Sequence, residues 1–271
     1  MSTNLLRSMA FAALLATAAC QGGPATSQSA SVSPTSANIV AAIADPARPD
    51  DASADPACLS QQAPCVGRKL DADRKPAEML AFAGARPGMK IGELIPGAGY
   101  MTRLFSKAIG PTGKVYLFNG PAAAGRALGF QPILDDKTNY PNVSFIQTDF
   151  TTIPTPEPLD LVWTSQNYHD MHNPGRNLDI NAANKAVLNA LKPGGIYIVL
   201  DHATAPGVAF NAQLHRIDPE MVKKEVLAAG FEFVGESTVL RNPNDPHDKA
   251  VFDASIRHKT DQFMFKFKKP G

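Results

Sequence analysis

The stretch that most constrains this chain is Lys90-Ile-Gly-Glu-Leu-Ile-Pro-Gly-Ala-Gly-Tyr, followed by a helical run and then Val115-Tyr-Leu-Phe-Asn119. It reads as strand, glycine turn, helix and strand. Glu93 ends the first strand just before Pro96-Gly97-Ala98-Gly99. Gly97 and Gly99 carry no Cβ, so the turn can bend tightly and its backbone can approach a ligand. Met101, Leu104, Phe105 and Ala108 recur at helical spacing, and Gly110-Pro111 stops the helix. A unit of this kind places a nucleotide-type pocket at the carboxyl end of a parallel sheet.

The turn departs from the dinucleotide pattern. Thr102 occupies the place of the third glycine in G-x-G-x-x-G, and Asn119 stands where an acidic residue would hold ribose hydroxyls. Gly113-Lys114 is followed by Val115, with no Ser or Thr for magnesium, which excludes a phosphate-binding loop. What remains suits an adenosyl ligand without phosphates.

Glu93-x-x-Pro-Gly-x-Gly, then Asp149, then Leu191-Lys-Pro-Gly-Gly195 before a strand, resembles the class I S-adenosylmethionine-dependent methyltransferases. The tail, from His215-Arg-Ile-Asp218 through Ala228-Ala-Gly-Phe231 to Arg241-Asn-Pro and Lys259-Thr-Asp-Gln-Phe263, is similar to a narrower group of often exported bacterial methyltransferases. The resemblance covers roughly residues 66–269. It implies S-adenosylmethionine as cofactor. Glu93, Gly97, Ala98 and Gly99 would hold the methionine part, Asn119 the ribose and Asp149 the adenine amine. Asn119 can still hydrogen-bond but supplies no carboxylate.

The rest of the chain supports an α/β fold. Strands are expected at Val143–Gln147, Leu159–Thr164 and Ile196–Asp201, each short and apolar, as in strands covered on both faces. Helices are expected over Pro76–Gly84, Asn177–Lys192 and the segment that Asp218 caps and Gly230 ends. Phe231–Glu236 and Gln262–Lys268 complete a Rossmann-like, seven-stranded, mostly parallel sheet, with helices on both faces and an antiparallel last strand.

Ligands in such sheets lie at the carboxyl ends of the strands. Ser165-Gln-Asn-Tyr-His-Asp-Met-His172 follows the fourth strand and Asp201-His202 ends the fifth. Tyr168, His169 and His202 are therefore the candidate catalytic residues, with Asp170 as an orienting partner for His169. Each can equally serve as an ordinary loop residue. His169-x-x-His172 with Asp170 hints at a metal, but no further ligand is evident, and none is expected. Arg216 can bind a carboxylate or pair with Asp201 or Asp218. Arg74 can face the site or solvent. His247 and His258 are expected on the surface.

Residues 1–20 read as a signal peptide. An apolar run from Met9 to Ala19 is too short to span a bilayer, and Thr17-Ala-Ala-Cys20 resembles a lipoprotein signal. An ordinary secretory signal is the alternative. Lipid on Cys20 would be the chain's only membrane attachment, in an exported periplasmic protein, and Gln21 favours the outer membrane over the inner. Cys58 and Cys65 remain as a pair that an oxidising compartment favours bridging; two free thiols, or a zinc site with ligands elsewhere, are the alternatives. Residues 21–57, rich in Ala, Ser, Pro and Asp, read as a disordered tether, leaving 58–271 as one methyltransferase-like domain. A net charge of +1 without a basic run argues against nucleic acid. Two functions are consistent with these features. One is methyl transfer to a small-molecule acceptor. The other is an exported lipoprotein that binds an adenosyl compound or other metabolite without catalysis.

Overall fold

The computed structural model describes residues 36–50, 67–121 and 128–271. The signal segment and all three cysteines lie outside the described residues. The described residues belong to one unit, 34–271.

In chain order the elements that frame the site begin with helices α1 (Ala37–Ile43), α2 (Asp71–Arg74) and α3 (Pro76–Ala83) and strand β1 (Lys90–Leu94). There follow α4 (Tyr100–Ile109), β2 (Lys114–Asn119), α5 (Gln131–Asp135), β3 (Val143–Gln147) and β4 (Leu159–Ser165). The second half holds α6 (Tyr168–Met171), α7 (Ile180–Ala190), β5 (Leu191–His202), a short ribbon of β6 (Phe210–Asn211) and β7 (Arg216–Ile217), α8 (Pro219–Ala228), β8 (Glu232–Ser237) and β9 (Gln262–Lys268). The seven-stranded sheet runs in the order β3-β2-β1-β4-β5-β9-β8. Strand β9 is antiparallel to both neighbours, and the other pairs are parallel. The reversed last strand is thus inserted between β5 and β8 rather than placed at an edge.

Sheet side chains alternate between two apolar layers, as the period of two requires. Ile91, Leu117, Leu161, Trp163, Ile198 and Met264 pack with α1, α3 and α4. Phe118, Val162, Tyr197, Val199, Phe263 and Phe265 pack on the other face with α6, α7 and α8. Both faces are covered, so the central strands have no polar alternation to show.

Three expectations need correction. Residues 36–50 are not part of a tether. Ile39 and Ala42 are buried. The Asn38 amide donates to the Ala108 carbonyl at 2.9 Å. The Arg48 guanidinium makes a fork with Asp71 at 2.5 and 2.9 Å. Ile39-Val-Ala-Ala-Ile43, an apolar patch within an Ala-rich stretch, is therefore a docking helix, since burial against a preformed face offsets the ordering cost. Helix α7 starts three residues later than expected, because Pro174–Arg176 forms a 3₁₀ turn, Asn177 turns left-handed (φ 47°) and Asp179 supplies the cap. Strand β5 begins at Leu191, ahead of the Lys192-Pro-Gly-Gly turn, because Leu191 already pairs with Leu159.

Candidate functional site

Strand register brings the candidate cofactor residues to one edge. Glu93 pairs with Leu117 and Leu94 with Phe118, so the ends of β1 and β2 lie level. Asn119 pairs with Gln147, and its carbonyl accepts from the Thr148 amide at 2.9 Å. Asn119 therefore ends β2 level with the end of β3, two residues before Asp149. Asn119 Nδ2 donates to the Gly120 carbonyl. The exposed Asp149 carboxylate caps its own turn by accepting from Thr151, and these bonds hold it below the usual carboxylate range.

The turn is strained at a residue that is not glycine. Ile95 has φ 50°, a conformation that β-branched side chains rarely adopt. Its amide donates to the Phe118 carbonyl at 2.9 Å, and its carbonyl accepts from Asn167 Nδ2 at 2.8 Å. The two glycines do different work. A Cβ on Gly97 (φ 60°) would meet nothing within 4 Å, so open space lies over it. A Cβ on Gly99 (φ 79°) would fall 2.1 Å from Ile133 Cδ1. The approach that Gly99 permits is that of α5, not that of a ligand. Gly129 also lies against the turn, where a Cβ would stand 2.8 Å from the Gly97 carbonyl oxygen. Residues 129–133 escaped sequence reasoning because a short apolar segment after a loop carries no period.

Glu93 is buried, and burial pushes its carboxyl up to about 8, against the opposing effects of the Thr102 hydrogen bond and the Arg103 charge. Thr102 Oγ1 donates to Glu93 Oε2 at 2.6 Å. Thr102, which replaces a glycine of the dinucleotide pattern, thus anchors the acidic residue. A buried carboxyl beside an open glycine turn fits a cationic ligand such as S-adenosylmethionine, whose ammonium and sulfonium charges favour the ionised carboxylate.

A second set of polar groups lies at the ends of β4 and β5. Asn167, at the residue before α6, ties this region to Ile95. Asp201, fully buried, accepts from the His169 amide and from the His202 amide, each at 2.7 Å. His169 Nδ1 lies 2.7 Å from Asp201 Oδ1. Burial alone would lower the His169 pKa; the Asp201 charge and hydrogen bond override it and raise the value above the ordinary one. The same pair holds Asp201 below the usual range despite its burial. When the ring is neutral, ionised Asp201 keeps the proton on Nδ1 and leaves the Nε2 lone pair available. His169 Nε2 faces His215 Nδ1 at 3.3 Å and Asp170 Oδ1 at 3.5 Å.

The other predicted residues divide. His202 is buried beside His169, with ring centroids 6.2 Å apart, and its Nδ1 lies 2.8 Å from Thr260 Oγ1. Burial pushes its pKa down to about 3, so the imidazole is neutral across the physiological range. Tyr168 does not join the site. Its hydroxyl donates to Glu225 and accepts from Asn184, between α7 and α8, with no exposed surface. The one-residue step from Tyr168 to His169 on a helical turn sends the two side chains to different layers. His172 likewise turns away, to Glu225 at 3.1 Å. Arg216 is structural, but its partner is Asp245, at 2.8 and 3.0 Å. Arg74 faces the site's polar rim, donating to Gln166 Oε1 and lying 4.6 Å over the Tyr100 ring. His247 and His258 are half-buried rather than on the surface. Asp201 and His215 are the members that sequence reasoning passed over as catalytic or binding groups. The signal was there in an Asp-His pair at a strand end and a histidine just before a capped helix.

No family model matches the chain. Among curated proteins it is 34% identical over 188 residues to the ubiquinone/menaquinone biosynthesis C-methyltransferase UbiE of Shewanella halifaxensis, covering 65% of this chain and 70% of that one. The Shewanella pealeana protein of the same description is 33% identical over the same shares. Among solved structures, a SAM dependent methyltransferase from Aquifex aeolicus superposes with a TM-score of 0.56 at 15% identity, over 79% of this chain and 98% of that one. A putative sarcosine dimethylglycine methyltransferase from Galdieria sulphuraria gives 0.54 at 15% identity, over 75% and 87%.

Proposed function

The chain belongs to the class I S-adenosylmethionine-dependent methyltransferases, the family of its UbiE relatives, and from that premise we propose that it methylates a small-molecule acceptor whose proton is taken by His169. S-adenosylmethionine is the cofactor, and it supplies a methyl already activated by the sulfonium leaving group. The chain's own tasks are then to hold the cofactor, align the acceptor and remove a proton. Glu93, Gly97 on its open side, Ala98 and Gly99 are assigned to the methionine end, Asn119 to the ribose and Asp149 to the adenine. Gly99 shapes the turn from behind by admitting Ile133.

The observation that carries the reading is the Asp201-held imidazole. Asp201 fixes the Nδ1–H tautomer of His169, leaving Nε2 as a base at the carboxyl ends of β4 and β5. His202 remains neutral and is assigned to lining the acceptor side, not to proton transfer. Tyr168 is withdrawn from the catalytic set by its burial between α7 and α8. The relatives' description as C-methyltransferases supports a carbon acceptor, made nucleophilic when the base takes the proton of a conjugated hydroxyl.

Calorimetry with S-adenosylmethionine and its demethylated product tests the cofactor site, and failure to bind at millimolar concentration overturns the reading. Turnover against phenolic, thiol and amine acceptors then tests transfer; binding without any turnover would return the chain to the class of metabolite-binding proteins. Export and lipid attachment at Cys20 belong to the proposal through the sequence pattern alone, and fractionation of cells with and without Cys20→Ser tests them.

A further inference from the structure

His169, Asp170 and His215 converge from two separate parts of the chain, the turn after β4 and the residue before β7. Their facing atoms form a triangle: His169 Nε2 to His215 Nδ1 3.3 Å, His169 Nε2 to Asp170 Oδ1 3.5 Å, and His215 Nδ1 to Asp170 Oδ1 3.8 Å. Around a tetrahedral ion with bonds of about 2.0–2.1 Å, donor atoms stand about 3.3–3.4 Å apart. In an octahedral shell, adjacent donors at the same bond length would be closer, about 2.9 Å. The observed edges match the tetrahedral figure at one side and exceed it modestly at the others.

We propose that His169 Nε2, His215 Nδ1 and an Asp170 carboxylate oxygen form a binding site for a divalent transition-metal cation of the zinc type, with the fourth position open. Two further features support it. Asp201 grips His169 Nδ1 at 2.7 Å, the carboxylate–histidine arrangement that orients a metal-binding imidazole and turns its free nitrogen toward the ion. His215 is held at φ 56°, an uncommon conformation for a residue with a side chain, and its ring is braced edge-on by Phe252 at 4.8 Å. His169 is buried while Asp170 and His215 are partly open, with side-chain exposures of 31% and 35%, which leaves a route for the ion. Two nitrogens and one oxygen suit zinc, cobalt or ferrous iron rather than calcium or magnesium. The competing occupant of the gap is a proton between the two imidazoles, for which 3.3 Å is a long separation.

The site would use the lone pair that the proposed base also needs, so a bound ion takes His169 out of proton transfer and places a Lewis acid beside the acceptor instead. The binding test requires neither cofactor nor acceptor, so its failure is separate from failure of the methyl-transfer reading. The full-length protein, stripped with chelator and dialysed, is titrated with zinc by calorimetry and with cobalt by absorption. One ion per chain is expected, with cobalt bands of a tetrahedral nitrogen and oxygen site and no thiolate band. His215→Asn, which tolerates the left-handed backbone, and Asp170→Asn should each weaken binding about tenfold or more while urea midpoints stay close to wild type. Should His215→Asn misfold, Asp170→Asn alone decides. No binding at about 100 µM metal, or binding that survives both substitutions, overturns the proposal and leaves the shared proton.

Discussion

His169 Nδ1 lies 2.7 Å from Asp201 Oδ1 although the residues stand 32 positions apart in the chain. The pairing of β4 with β5 sets their strand ends level, so the contact follows from register and not from local sequence. A base must be unprotonated, and the Asp201 charge holds the His169 pKa above its ordinary value. Methyl transfer should therefore fall as pH drops through that raised pKa. Asp201→Asn removes the anion, so the acid limb of kcat/KM should move to lower pH while the rate at its plateau declines. His169→Ala should lower kcat on the order of 10²–10⁴-fold. A pH profile unmoved in Asp201→Asn would remove His169 from the role of base.

His202 gives a stability prediction of the opposite sign. Burial pushes its folded pKa down to about 3, against about 6.5 in the unfolded chain. Between those values the unfolded state binds the extra proton, so stability falls as pH drops from about 6.5 towards 3. His169, with its pKa raised, contributes stability that is complete below about 6.5 and is lost as pH rises through its folded value. His202→Asn cannot take up that proton and can still hydrogen-bond Thr260. Urea midpoints measured from pH 7.5 to 4.5 should decline less steeply in the variant than in the wild type.

The sheet was legible because its strands are short apolar runs closed by Gly and Pro, and because Asp218 with Pro219 marks a helix start in any context. Of the candidate site, placement was legible: Glu93, Asn119, Asp149, His169 and His202 were expected at or just past strand ends and lie there. It was misread where direction within a turn decides. Tyr168 and His169 are adjacent in sequence, yet one enters the α7–α8 layer and the other the strand-end cluster. Asp201 and His215 needed the fold, since the His169 ring that both face lies 32 and 46 residues away along the chain. Residues 36–50 were misread for a related reason. Composition reports whether a segment can fold alone, not whether it can dock on a face already made.

Gly99 and Ile133 should be coupled energetically. Alanine at Gly99 meets both a positive φ of 79° and the Ile133 methyl 2.1 Å away. Left-handed backbone costs about 1–2 kcal/mol and overpacking about 1–3 kcal/mol. Gly99→Ala should therefore destabilise by about 2–5 kcal/mol. Shortening the neighbour relieves only the clash, so the Gly99→Ala/Ile133→Ala pair should be less destabilised than the sum of the singles, by about 0.5–3 kcal/mol. Gly97→Ala meets no neighbour, so its fold should bear only the backbone cost. Its loss should register in S-adenosylmethionine affinity instead. Additive Gly99 and Ile133 effects in urea denaturation would show that α5 does not press on the turn.

Arg216 and Asp245 bear on whether the β6–β7 ribbon holds the site from below. Both side chains are fully buried, and the guanidinium donates to both carboxylate oxygens and to the Ala203 carbonyl, next to His202. Removing one partner leaves the other charge buried without compensation, so Asp245→Ala should cost about 3–5 kcal/mol. Burial alone would raise the Asp245 pKa, but the Arg216 bonds win and depress it. Its contribution is therefore present above the unfolded carboxylate range, near 3.9, and is lost as pH falls through the lower folded value. Arg216→Met with Asp245→Leu removes both charges and should recover part of the loss, the remainder being the Ala203 and Lys249 carbonyls and the His247 and Asp261 amides left without these partners. Chemical denaturation of the two singles and the double at pH 7 gives the comparison. Because Arg216 follows His215 directly, Asp245→Ala should also weaken any metal held by His215 more than it weakens S-adenosylmethionine, whose proposed residues lie on or just after β1, β2 and β3.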